Sequence, residues 1–352
     1  MLGDNSIKLR ATAGRYYIEA AEEKSEHVED VLSRLTGISG WAKTRACQKT
    51  PDAVIAACVE EGKELAKHGI KTFKIEARRT DKSFPLNSYE LCCNSADAIT
   101  DEVNMTVDVR NPQDIIRIEI REKAYVYSGG KKGLGGLPVG TAGRGLLLLS
   151  GGIDSPVAGF MMAGRGMNID AIHFHSYPYT SKEAKQKAVD LSGVLGKYSL
   201  GLRIFILNFT KVQMRIKEAA PADWMTIILR MAMMEASEKA ATKIKSKCLI
   251  TGESLSQVAS QTIENLSCTQ SRIKLPVLRP LIGLNKESII KEAKKIGTYN
   301  ISIQPYEDCC TLFNPKHPVI HGNPQTACKL YEALELEPLI DEALKGYEEA
   351  VN

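Results

Sequence analysis

The residues best suited to chemistry follow four leucines, Leu146 to Leu149, in the run Ser150-Gly151-Gly152-Ile153-Asp154-Ser155. The leucines read as a buried strand, and a new helical pattern begins near Ser155. Gly151 and Gly152 allow positive φ and a close backbone approach to another group. Ser155 is the candidate helix N-cap, with Pro156 at the first helical position, where a missing N–H does no harm. Free N–H groups at such a helix start form a site for phosphate, the dipole alone contributing about 0.3–1 kcal/mol per charge. A tight strand-to-helix turn with no ligand is the competing reading. Neither G-x-x-x-x-G-K-[ST] nor G-x-G-x-x-G falls at this turn, so neither common nucleotide loop is encoded here.

Other residues join this group by type. His173 and Phe174 end the next apolar run, "IDAIHFH", which places them at the same edge of a sheet. Arg230 stands in "MTIILRMAMMEASEKAATKIK", where so apolar a setting demands an anionic partner, a buried salt bridge being one. The methionines around it read as core packing. Gly252 and Gln261 lie in "TGESLSQVASQT" directly after a strand; the first permits close approach, the second offers a donor and an acceptor. Lys286, in "GLNKESII", reads by itself as an exposed charge on a helix's first turn. Asp154 beside phosphates would repel them unless it helps orient magnesium or the leaving group; capping its own helix is the alternative. "PYEDCCTLF" holds Cys309 and Cys310. Glu307 and Asp308 would raise a neighbouring thiol's pKa, so activation of Cys309 requires a cation from elsewhere in the fold, Lys286 being a candidate. Cys92 and Cys93 read as core thiols.

These side chains need a scaffold, and composition sets its limits. At roughly 150 residues per domain, 352 residues imply about two domains. Hydrophobic residues at 43% and charged ones at 25% suit a globular core, and the net charge of +4 is mild. Charge is local: Lys63, Lys67, Lys71, Lys74, Arg78, Arg79 and Lys82 outnumber Glu64, Glu76 and Asp81, either a solvated face or a nucleic-acid contact. No apolar run reaches the roughly 18 residues of a membrane span, and "MLGDNSIKLR" lacks a signal-peptide core. Nine irregularly spaced cysteines without a C-x-x-C pair fit a reducing cytoplasm and give no zinc ribbon.

The first part mixes predicted strands ("RYYIEA", "KTFKIEARR", "NMTVDVRNP", "DIIRIEIREKAYVYSG") with helices ("SEHVEDVLSRL", "PDAVIAACVEEGKELAKHG", "SYELCCNSADAIT"), an α/β module ending near Tyr127. "SGGKKGLGGLPVGTAGRG", with eight glycines, reads as a linker that could also touch a phosphate backbone through Lys131 and Lys132. Beyond it, "GLLLL", "IDAIHFH", "LRIFILN" and "KCLITG" alternate with helices starting near Ser155, Ser181, Ala222 and Asn285. Continuous apolar strands separated by helices predict a parallel sheet covered by helices on both faces, binding ligand beyond its carboxyl edge.

The string Ser-Gly-Gly-Ile-Asp-Ser resembles the S-G-G-x-D-S loop of the ATP pyrophosphatases, the PP-loop, which cleave ATP between the α and β phosphates. With "TGESLSQVASQT", "LRPLIGLNKESII" and "PYEDCC", nearly the whole chain is similar to the tRNA 4-thiouridine synthetases, the tRNA sulfurtransferase family. The resemblance implies a THUMP-like α/β module followed by a Rossmann-like PP-loop domain. On this reading residues 1–24 are a remnant of an N-terminal ferredoxin-like domain, 25–130 the THUMP domain, 131–145 the linker and 146–352 the PP-loop domain.

It further implies nucleotide contacts from Leu148, Leu149, Ser150, Gly151, Gly152, Asp154, Ser155, His173, Phe174, Arg230, Gly252 and Gln261. Catalytic roles fall to Cys309 as the persulfide carrier, Asp154 and Lys286, with no protein metal-ligand set. ATP and Mg2+ are the implied cofactors. The implied partners are tRNA and a separate cysteine desulfurase as persulfide donor, because a rhodanese domain is not expected; no membrane is implied, and a homodimer is the candidate assembly. Cys310 or Cys328 would resolve Cys309. The activity implied is ATP-dependent transfer of sulfur to uridine 8 of tRNA. Its rivals are another PP-loop adenylating ligase or amidotransferase acting on a small molecule, and a non-catalytic RNA-binding protein.

Overall fold

The computed structural model describes residues 6–12, 14–306, 315 and 317–351; Cys309 and Cys310 lie outside the described residues. Packing divides the chain into two compact units, one of Ser39–Gly133 and one formed by Met1–Ile38 with Leu134–Asn352.

Within Ser39–Gly133 a five-stranded sheet runs in the order Arg45–Cys47, Ala124–Tyr127, Asp114–Ile120, Thr72–Arg79, Thr106–Val107. The alternating runs read from sequence become the long central strands, whose Phe73, Ile116, Ile118 and Ile120 are fully buried. Helices Pro51–Lys67 and Ser88–Glu102 cover them with Val54, Leu91 and Ile99. Pro51 opens the first helix, where its fixed φ is already suitable. Asn87 opens the second through a reciprocal capping box, its side chain accepting from the Tyr89 and Glu90 amides while Glu90 accepts from the Asn87 amide at 2.8 Å. The predicted strand in "NMTVDVRNP" shrinks to two residues, because the Asp108 carboxylate turns the chain by accepting from the amides of Arg110 and Asn111.

Much of the basic run in this unit is occupied locally. Lys63 pairs with Glu60 and Glu102, Lys67 with Glu64 and Lys74 with Glu76. Arg79 donates to the carbonyls of Phe84 and Leu86, so it braces its own loop. Lys71, Arg78 and Lys82 make no ion pair among the described residues, which leaves them as the open charges of the run.

In the other unit a six-stranded sheet has the order Val277–Leu278, Leu249–Ile250, Arg144–Leu148, Asn168–His175, Arg203–Asn208, Glu348–Val351. The first five strands are parallel and the last is antiparallel. Successive side chains of a strand point to opposite faces, and the leucine run shows why it had to be apolar throughout. Leu146 packs into one core with helix Met225–Lys243, while Leu147 and Leu149 pack into the other with helix Asp154–Gly164. Helices therefore cover both faces. Lys182–Ser199 begins at Ser181, whose hydroxyl accepts from the Ala184 amide, and Lys286–Lys295 begins at Asn285, whose side chain accepts from the Ser288 amide. Both starts fall where the sequence placed them.

From Leu134 onward the glycine-rich segment is bonded in place on this unit. The Gly37 amide donates to the Gly135 carbonyl and the Gly135 amide to the Ile38 carbonyl, while Leu137, Gly140 and Ala142 donate to the carbonyls of Gly164 and Gly166. The N-terminal hairpin Lys8–Thr12 with Arg15–Glu19 and helix Ser25–Arg34 complete the unit.

Helix Asp154–Gly164 lies so close to the central strand that a β-carbon on Gly159 would come within 2.8 Å of the Leu147 side chain and 3.3 Å of Leu195. Both neighbours are buried and cannot swing into solvent. Gly159→Val should destabilise the unit by about 1–3 kcal/mol through overpacking, lowering the urea midpoint; an unchanged midpoint would show that the helix can lift from the sheet freely.

Candidate active site

The central strand ends at Leu148, and Leu149 continues its course by donating to the Ile172 carbonyl. The turn that follows is closed by one side chain. The Ser155 hydroxyl accepts from the Ser150 amide at 2.9 Å and lies 3.0 Å from the Ser150 hydroxyl, which itself accepts from the Gly152 amide. This corrects the expected N-cap: the helix begins at Asp154, Ile153 occupies the cap position without a side-chain bond, and Ser155 faces back into the turn. Pro156 is then the third helical residue, still within the first turn where an N–H has no intrahelical acceptor. Gly152 does not adopt positive φ; its Cβ position meets the Ser150 hydroxyl at an ordinary 3.4 Å.

Gly252 has a firmer reason to be glycine. A β-carbon there would sit 2.6 Å from the Ser155 nitrogen and 2.8 Å from the Asp154 carbonyl carbon, both backbone atoms that cannot yield. The end of strand Leu249–Ile250 therefore lies directly against the helix start. Asp154, at the first turn, accepts from Lys286 Nζ at 2.6 Å on one oxygen and from Gln257 Nε2 at 2.9 Å on the other. It makes no cap bond to its own helix, and Lys286, 43% exposed in its side chain, is held by Asp154. Ser302 ties a further segment to the turn by donating to the Gly152 carbonyl at 3.2 Å.

Beside the turn is an open cleft. The turn contributes Leu148, Leu149, Ser150, Gly152, Asp154 and Ser155 to its wall. From the neighbouring strand come Ile172, His173 and Phe174; from the far side come Arg230, Gly252 and Gln261. His173 is buried, and its Nδ1 lies 2.9 Å from the Leu149 carbonyl; because a carbonyl only accepts, Nδ1 carries the proton. Gln261 is buried too, its side-chain oxygen accepting from the Ser254 amide at 3.4 Å. Among the sequence candidates, Gly151 is not on the cleft wall, Lys286 reaches it only through Asp154, and Cys309 lies outside the described residues.

Three features of the site were not read from sequence. Met233 and Met234, expected purely as core, also line the cleft and give it an apolar side. Glu253 is buried between two guanidinium groups: it pairs with Arg230 on one oxygen, and on the other accepts from Arg279 Nε at 2.7 Å and Thr251 Oγ1 at 2.9 Å. The anionic partner that Arg230 demanded is thus Glu253, which stands next to Gly252 in a string already singled out. Gln257, in the same string, is the second group holding Asp154. Among the described residues no cluster of three or more His, Cys, Asp or Glu could hold a metal ion, and no helix is long and apolar enough to cross a membrane.

Burial pushes the Glu253 carboxyl up, but Arg230 and Arg279 outweigh it and hold the group below the usual carboxylate range. A depressed folded-state pKa contributes stability that is present above the unfolded value, about 4.3, and is lost as pH falls through the folded one. Glu253→Gln should therefore be less stable than wild type at pH 7, by about 3–5 kcal/mol for a buried pair broken on one side. The gap should narrow as pH drops below about 4. Urea midpoints measured across that range test this; a gap that stays constant or widens would contradict it.

Comparison with known proteins places these features in a family. The family model described as thiamine biosynthesis protein (ThiI) matches residues 140–336, and the THUMP domain model matches 48–128. A probable tRNA sulfurtransferase of Treponema pallidum (strain Nichols) is 48% identical over 348 residues, covering 98% of this chain and 87% of the relative. That of Caldanaerobacter subterraneus subsp. tengcongensis is 47% identical over 350 residues, covering 99% and 90%. Among solved structures, a crystal structure of a 4-thiouridine synthetase–RNA complex with bound ATP superposes with a TM-score of 0.93 at 36% identity, covering 98% of this chain and 90% of that one. A fold built of a THUMP module and a doubly covered parallel sheet, with this turn at its carboxyl edge and these relatives along its whole length, belongs to the ThiI family of tRNA sulfurtransferases.

Proposed function

We propose that the chain uses ATP to transfer sulfur to uridine 8 of tRNA, forming 4-thiouridine. The observation that carries this is the convergence of the Ser150–Ser155 turn, Arg230 and Gln261 on one cleft. ATP phosphates lie along the turn, held by the amides that open helix Asp154–Gly164 and by the positive end of its dipole. The adenine lies between Phe174 and the methionine side, with Gln261 at its edge. Arg230, aimed by Glu253, faces the nucleotide.

Magnesium fits the donor set at Asp154, since the ion binds through one or two carboxylates and completes its shell with phosphate oxygens and water. When bound it would neutralise charge on the transferring phosphate. Lys286, paired with the same carboxylate, supplies a second cation at that point. The uracil C4 oxygen attacks the α-phosphorus and pyrophosphate leaves, so that a poor leaving group becomes AMP. The amides that open helix Asp154–Gly164 and Lys286 stabilise the charge that develops.

The terminal sulfur of a Cys309 persulfide, loaded by a cysteine desulfurase, then attacks C4 and AMP departs. Freeing the thiolated base breaks the S–S bond and takes two electrons, supplied by a second thiol; Cys328, half-buried with Sγ 3.3 Å from the Ser271 hydroxyl, is the candidate on the described part of the chain. The THUMP domain holds the tRNA by shape and phosphate contacts, with Lys71, Arg78 and Lys82 as its open cations. The reaction takes place in the cytoplasm, and a homodimer is the assembly we favour.

Reconstitution with ATP, magnesium, a desulfurase, cysteine and unmodified tRNA tests the scheme. Wild type should yield 4-thiouridine. Cys309→Ser should lose thiolation yet still release pyrophosphate in a first turnover, whereas Asp154→Ala should lose at least 100-fold of both, on the order of 2.7 kcal/mol of transition-state stabilisation. Thiolation that survives Cys309→Ser would contradict the assignment of the sulfur carrier.

A further inference from the structure

The strand that carries His173 and Phe174 ends at His175, and the chain continues as Ser176-Tyr177-Pro178-Tyr179-Thr180-Ser181 into helix Lys182–Ser199. This short loop is held by polar groups that the fold has buried. The Ser176 amide donates to Thr180 Oγ1 at 2.9 Å, the Thr180 amide donates to the Ser176 carbonyl at 2.9 Å, and His175 Nδ1 lies 3.2 Å from the same Thr180 hydroxyl. The Ser176 hydroxyl bonds the Gln213 side chain, and the Thr210 hydroxyl donates to the Tyr177 carbonyl at 2.9 Å. His175, Ser176, Thr180 and Gln213 are all buried. Burial and the neighbouring His173 lower the His175 pKa, so the neutral ring is favoured inside this network.

A satisfied buried polar network fixes geometry more than it adds net stability. Here it holds two large rings about half exposed: Tyr177, whose ring centroid lies 6.4 Å from that of His175, is 54% exposed and Tyr179 is 49% exposed. A loop free to choose would tuck such rings away, gaining about 25 cal/mol for each Å² of apolar area covered. The loop leaves the carboxyl edge of the parallel sheet one residue after Phe174, the last of three strand residues that line the cleft, and this is the edge at which such sheets bind ligands.

We infer that Tyr177 and Tyr179 form a stacking platform for an unpaired nucleobase of the RNA substrate at the mouth of the cleft. This rests on the reading that RNA is the substrate. The chemistry favours a base over a protein side chain. A tyrosine face matches the π-face of any nucleobase, and a uridine must leave its own stack before its C4 can meet an activated phosphate. The flanking charge suits a phosphate backbone: Lys182 is exposed, and an 18-residue helix opens here with its positive end. The one acid in that first turn, Glu183, is folded back onto its own amide and Ser181.

The test uses the full chain and an unmodified tRNA transcript, comparing wild type with Tyr177→Ala, Tyr179→Ala and the two Phe variants. Stacking is worth about 1–3 kcal/mol per base, so each Ala change should lower kcat/KM for tRNA roughly 5- to 150-fold. The Phe variants should stay within about twofold of wild type, since stacking needs the ring and not the hydroxyl. KM for ATP and the Tm should hold. Ala variants within twofold of wild type would overturn the inference. So would Phe variants as impaired as Ala, or a defect confined to loading of Cys309 by the desulfurase, which would make the rings a protein-docking site. If wild type itself makes no 4-thiouridine, the proposed function fails first; if wild type works and the Ala variants work equally, only the platform fails.

Discussion

The backbone at Gly252 lies against the first turn of helix Asp154–Gly164 with no room for a β-carbon, and the geometry of the cleft follows from that contact. It draws the end of one edge-side strand onto the end of the central one. Thr251 and Glu253, on either side of the glycine, are thereby brought level with the Ser150–Ser155 turn, and Glu253 in turn draws Arg230 to the cleft from a helix on one face of the sheet. A bare turn alone would offer amides to any anion. Packed against Gly252, it faces a wall with a guanidinium, an amide and an apolar methionine side.

Charge is handled in pairs around that contact. Asp154 is neutralised by Lys286 and steadied by Gln257, so a carboxylate can stand at the turn where we propose the ATP phosphates lie without repelling them outright. Glu253 is flanked by Arg230 and Arg279, leaving that side of the cleft with an excess of positive charge even though its carboxylate is fully buried. An isolated buried carboxylate would be expensive, and two guanidinium groups with the Thr251 hydroxyl satisfy it instead. Donors and charges held in place by such partners are what electrostatic stabilisation of a developing charge requires.

Much of this was legible in the residues because local rules and the fold agree. Uniformly apolar strands such as Leu146–Leu149 can only be covered on both faces, and Ser181 and Asn285 announced helix starts that the structure keeps. The S-G-G-x-D-S string and its companions identified the family from sequence. What escaped was non-local. Ser155 has the chemistry of an N-cap, but its hydroxyl found the Ser150 amide five residues back and the helix started two residues early. Glu253 pairs with arginines 23 and 26 residues away, a link that no spacing rule reaches. Met233 and Met234 belong to a helix apolar almost all round, so periodicity could not say which of its methionines face the cleft.

The central claim is that ATP is broken at its α-phosphorus in this cleft. Wild-type protein given ATP labelled at the α-phosphate, together with magnesium, unmodified tRNA and a sulfur source, should convert the label to AMP with an equal amount of unlabelled pyrophosphate, one for each 4-thiouridine formed. Label recovered as ADP, with release of orthophosphate, would contradict the account.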